Sequence, residues 1–110
     1  MSDLNREISD LHNHAMELAR EAKGAMFIGD TVVMADKFLE AYALELKAAS
    51  MVNYQPYHAI LYASAASLAL ACGTKTEARR LIKIALDFNP EPPADLLKKL
   101  KEIEFAANSE

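Results

Sequence analysis

Residues 60–78 read ILYASAASLALACGTKTEA. The first charged side chain is Lys75, and before Gly73 alanine and serine outnumber the leucine and isoleucine that usually anchor a helix on its neighbour. Alanine is the strongest intrinsic helix former, and a glycine after such a run ends the helix in the left-handed conformation. Thr74 with Glu77 three residues later has the pattern of a capping box that starts the next helix. The stretch is therefore read as a helix over about 57–72, a turn at Gly73 and a new helix from Thr74. A helix this poor in large side chains suits close approach of its neighbours, because small residues let two backbones come together.

Working upstream, Leu4, Ile8, Leu11, Ala15, Leu18, Ala22 and Ala25 recur at alternating spacings of four and three, one stripe of a helix over about 3–28. Ser2 or Asp3 is its expected N-cap, and Gly29-Asp30 its stop. From Thr31 to Val52 two apolar stripes run side by side, Met34, Phe38, Ala41 and Ala48 beside Ala35, Leu39, Tyr42, Leu46 and Ala49. Asp36, Lys37, Glu40, Glu45 and Lys47 are assigned to the polar face. NYQP at 53–56 interrupts the period, and Pro56 suits the start of the following helix. Downstream, Ala78, Leu81, Ile82, Ala85 and Leu86 form the inner side of a fourth helix that ends near Asn89-Pro90. Glu91-Pro92-Pro93 opens a fifth over about 93–107, with Leu96, Leu97, Leu100 and Ile103 on one side. The expected fold is a single all-α domain of five helices: a hairpin over about 3–52, a second over about 57–89 and a capping helix.

Twenty alanines against three glycines, and a net charge of −4 over 110 residues, fit such a fold. They disfavour a general nucleic-acid or anionic-membrane binder, which needs a dominant positive field. Cys72 is the only cysteine, so an internal disulfide and a thiolate metal cluster are excluded. MSDLNREISD has no apolar signal core, and a cytoplasmic location is expected. Ala48 to Thr74 carries no Asp, Glu, Lys or Arg, but Asn53, Gln55, Pro56, His58, Ser64 and Ser67 interrupt it. Its apolar part, Ala59 to Cys72, falls short of the ~20 residues that cross a bilayer, so no membrane span is expected.

Two parts of the chain overlay without a gap. Leu18, Ala22, Ala25, Gly29, Met34, Phe38 and Ala41 follow spacings of four, three, four, five, four and three. Tyr62, Ala66, Ala69, Gly73, Ala78, Ile82 and Ala85 repeat them, and Pro90 follows. This resembles the tetratricopeptide repeat, with a large apolar residue, a small one, an aromatic, a turn glycine, then alanine, a large residue, alanine and proline. The stretch GTKTEARRLIKIALDFNP is similar to the end of a standard repeat, although Ala69 replaces the usual aromatic. Met34 and Leu46 depart from the pattern in the first unit, and the glycines lie 44 residues apart where the family period is 34. FLEAYALELKAA, AILYASAASLALACG and NPEPP also resemble, over about residues 15–105, a family of small bacterial proteins of tetratricopeptide-like fold with no assigned activity. That family usually carries charged side chains near His58 and Ala63, which are neutral here.

No catalytic constellation is legible, and no enzyme activity, metal or cofactor is expected. His12 and His14 are two apart on a helix and point different ways, so they read as flank residues. His58 reads as a packing residue, Cys72 as a buried small hydrophobe, and Glu17, Glu21, Glu40 and Glu45 as solvated. No phosphate loop, nucleotide fingerprint or zinc spacing occurs. The tetratricopeptide resemblance implies a groove lined by the first helix of each hairpin. Projected here, its wall is Met16, Ala19, Lys23, Met26 and Phe27 with Ile60, Ala63, Ser64, Ser67, Leu70 and Ala71. The expected function is protein–protein contact through that apolar groove, with a different protein or with a second copy of this chain as the occupant. A further reading sets Arg79, Arg80, Lys83, Lys98, Lys99 and Lys101 together as a basic face for an acidic or phosphate-bearing ligand.

Overall fold

The computed structural model describes residues 2–109. Five helices follow in chain order: α1 Ser2–Phe27, α2 Thr31–Ser50, α3 Tyr57–Ala71, α4 Lys75–Asp87 and α5 Ala94–Asn108. α1 pairs with α2 and α3 with α4, α2 joins the two hairpins by packing on α3, and α5 lies against α3 and α4. The result is a slab of 42 × 38 × 20 Å. Among the described residues no helix is long and apolar enough to cross a membrane.

The two hairpin turns are built alike. Gly29 adopts φ +83° and Gly73 φ +79°, the left-handed region that favours glycine. In the first turn Asp30 N–H donates to the Ala25 carbonyl at 2.8 Å and Gly29 N–H to Met26 at 3.1 Å. In the second, Thr74 donates to Ala69 at 3.0 Å and Gly73 to Leu70 at 2.9 Å. Both are Schellman closures, and the second repeats the first 44 residues later. The next helix starts differently in each. Asp30 Oδ1 accepts from Val33 N–H at 3.1 Å, whereas the Thr74 hydroxyl donates back to the Ala69 carbonyl at 2.8 Å. The capping box expected at Thr74 and Glu77 does not form, because the hydroxyl is used on α3 and Glu77 pairs with Arg80. Asp3 lies inside the first turn of α1, and the side chain of Ser2, the other expected cap, lies outside the described ones.

The alanines are where the helices meet. Ala22, Ala41, Ala66, Ala69, Ala78 and Ala85 are all fully buried. The larger residues of the overlay, Leu18 and Phe38 in one hairpin and Tyr62 and Ile82 in the other, are buried beside them. Leu18, Ala22, Phe38, Ala41 and Leu68 form a smaller core between the first hairpin and α3. A larger core runs from Ile8 through α3 and α4 to Leu100 and Ile103 of α5.

Spacing and polarity disagree on α2, and spacing decides. Glu45 lies four residues after Ala41 and three before Ala48, so it faces inward and is fully buried, contrary to its assignment to the solvated face. Ala35 and Leu39, expected in the core, lie outside it, with Leu39 59% exposed. Leu4 is half exposed because α1, 26 residues against 20 in α2, extends past the end of its antiparallel partner.

The loops either side of the second hairpin are tied together. Gln55 Nε2 donates to the Pro90 carbonyl at 3.1 Å, and its Oε1 accepts from Ala59 N–H at 3.1 Å. One side chain thus satisfies the first turn of α3 and holds the segment that leads into α5.

Candidate functional site

α1 and α3 flank a groove made of two adjoining concavities that share Ser64 and Ser67. One, of about 240 Å³, is walled by Met16, Ala19 and Lys23 of α1 and by Leu68 and Ala71 of α3, with Phe38 of α2 beneath. The other, of about 360 Å³, lies between His12 of α1, Ile60 and Ala63 of α3, and Leu96 and Lys99 of α5. Residue numbers rise in the same direction on both walls, so α1 and α3 advance along the groove together. Small residues make it possible: alanine and serine at the crossing points leave width where leucine would fill it.

Eight of the residues projected onto the wall line it: Met16, Ala19, Lys23, Ile60, Ala63, Ser64, Ser67 and Ala71. Three do not. Leu70 turns toward the main core. Met26 and Phe27 are the last residues of α1, beyond Lys23 where the groove lining ends, and Phe27 is 91% exposed. His12, Leu96 and Lys99 also line the groove, outside the wall expected from the repeat geometry. Leu96 and Lys99 come from the packing of α5 on α3, a long-range arrangement with no local signature.

His12 has a second role. Its Nδ1 donates to both carboxylate oxygens of the buried Glu45, each at 2.9 Å, and the ring is partly exposed on its other side. A carboxylate taken wholly out of water is tolerated only when it is paired, and the imidazole supplies the partner. Among the described residues no group of three or more His, Cys, Asp or Glu side chains converges. The two hydrogen bonds to Glu45 orient the ring that forms one end of the groove wall.

The groove has a consistent electrostatic character. None of its lining side chains is a carboxylate, while Lys23 stands toward one end and Lys99 toward the other. This cationic lining belongs to a chain of net charge −4.

The six residues grouped as a basic face do not converge. Arg79 donates to the Ala107 carbonyl at 2.8 Å and to Thr76 Oγ1 at 3.2 Å. Arg80 pairs with Glu77, and Lys83 with Asp87 at 2.9 Å. On α5, Lys98 and Lys101 line a shallow depression with Leu97 and Phe105, whereas Lys99, one residue along and ~100° around the helix, enters the groove.

Cys72 is half-buried, and burial pushes its thiol above the ordinary range, away from the reactive thiolate. His14 is exposed on α1 beside Arg6 and Asp10. His58 packs: its ring stacks on Phe88 with centroids 3.7 Å apart and meets Tyr62 at 4.6 Å. Burial holds its pKa below the ordinary 6.5. The folded chain thus binds a proton at His58 less readily than the unfolded chain. Stability from this residue is complete above the unfolded pKa and declines as the pH falls below about 6.5. His58→Phe, which keeps the stack, is expected to flatten the decline in urea titrations over that range. An identical slope in the variant would assign the decline to other groups.

Comparison of the chain with protein-family models, curated proteins and solved structures gives no match.

Proposed function

We propose that the chain is a non-catalytic, tetratricopeptide-like interaction module of the cytoplasm, whose groove between α1 and α3 receives an amphipathic helix of a partner protein, apolar along the seated side and acidic at its ends. The observation that carries this reading is the pairing of an apolar lining with a lysine toward each end and no carboxylate between them. Apolar side chains supply most of the affinity at such surfaces, and charge sets orientation and encounter rate. Met16 adds adaptability, because an unbranched thioether reshapes to irregular partners.

The test is titration calorimetry with two synthetic amphipathic helices of equal apolar face, one flanked by glutamates and the other by lysines. The acidic helix is expected to bind about tenfold tighter or better, with the difference shrinking as salt rises. Ser67 is exposed and belongs to both concavities, so Ser67→Trp fills the groove without disturbing the core. It is expected to abolish binding while leaving the melting temperature in place. Equal affinity for the two helices, or unchanged binding by Ser67→Trp, would overturn the proposal. A closed dimer that Ser67→Trp splits would give the groove to a second copy instead.

A further inference from the structure

Away from the groove, two exposed helix faces carry large apolar side chains, and the majority sign of their free charges is opposite. On α2, Val32 is 70% and Leu39 59% exposed, seven residues apart and so on one stripe. Asp36 and Glu40 stand exposed beside them, one turn apart. In the turn that leads into this helix, Phe27 and Ile28 are 91% and 78% exposed. On α5, Phe105 is 77% exposed and shares a shallow depression with Leu97, Lys98, Lys101 and, at its margin beyond Lys98, Glu102. Among the described residues none of Asp36, Glu40, Lys47, Lys98, Lys101 and Glu102 lies in an ion pair, so acids outnumber the lysine on the α2 stripe and lysines outnumber the acid on the α5 face.

We infer that the acid-edged α2 face of one molecule docks on the lysine-edged α5 face of a second copy of this chain, head to tail. Charge complementarity selects this occupant. An acid-edged apolar stripe repels its own kind and an anionic surface, but matches a stripe of similar length edged with lysine, and every molecule carries both. Because α3 and α4 lie between α2 and α5, the two faces of one molecule do not meet, and joining unlike faces leaves one of each free at the ends. Such heterologous contacts propagate rather than close. Neither groove wall is used, so the inference is independent of the groove reading.

Sedimentation equilibrium of the full chain over a range of concentrations tests it. The weight-average mass is expected to climb past that of a dimer without a plateau, and to fall back as salt screens the edges. Leu39→Glu and Phe105→Glu each change an exposed residue and are expected to keep the wild-type circular dichroism and to be monomeric alone. Mixed in equal amounts they are expected to form one-to-one pairs that grow no further, since each keeps the face that the other lacks. Ser67→Trp is expected to assemble as the wild type does. A wild type that stays monomeric, a closed dimer, or a mixture as monomeric as its two components would overturn the inference. Should either Glu variant fail to fold, Lys98→Glu with Lys101→Glu and Asp36→Lys with Glu40→Lys are each expected to be monomeric alone and, because every mixed contact is then complementary, to grow together when mixed; absence of association in that mixture overturns the inference equally.

Discussion

Replacing His12 with alanine is expected to lower the stability of the domain by about 3 kcal/mol in urea titration. Glu45 is fully buried, and its only side-chain partner among the described residues is the Nδ1 of His12 at 2.9 Å. Removing the imidazole leaves a carboxylate beneath α1 with neither water nor a donor, and the folded state bears the desolvation cost. The effect belongs to the orphaned group rather than to the pair. His12→Leu combined with Glu45→Leu is therefore expected to recover most of the loss, because a well-packed apolar pair commonly matches a buried polar one. If His12→Ala alone stays within about 0.5 kcal/mol of the parent, the carboxylate has found another partner and the assignment fails.

Ala66→Leu is expected to cost about 1–3 kcal/mol through overpacking. Ala66 has no exposed surface and lies in α3, where α2, α4 and α5 all pack. Extra methylenes have no void to enter, so either the side chain leaves its preferred rotamer or the helices part. Ala22 holds the equivalent place in the first hairpin and is as deeply buried, so Ala22→Leu is expected to behave alike. Ala43, exposed on α2, provides the control: Ala43→Leu is expected to shift stability by less than about 0.5 kcal/mol. An Ala66→Leu variant that melts with the wild type would show that helix separation there is not limited by side-chain size.

What the sequence reveals and what it hides divide along the range of the interactions involved. Helix order, both turns and the contact alanines are local or periodic, and the structure places each helix end within two residues of its expected position. Glu45 shows where such reading goes astray, because its spacing from Ala41 and Ala48 points inward while its chemistry points outward. The partner that makes its burial tolerable sits 33 residues away in another helix. Met26 and Phe27 continue the helix of α1 past Lys23, where the groove has already ended, and periodicity alone does not mark that end. Lys98 and Lys99 read as one basic cluster although the helix sends them to different sides. The groove's α5 end has no counterpart in local pattern, since it depends on how the last helix returns across α3.

The two-sided amide of Gln55 bears on how that end is shaped. The segment before α5 and the opening turn of α3 hang from the same side chain, so they share a common anchor. Leu96 and Lys99 follow that segment directly, which makes the width of the cleft a property of the linker between hairpins as much as of the rods that border it.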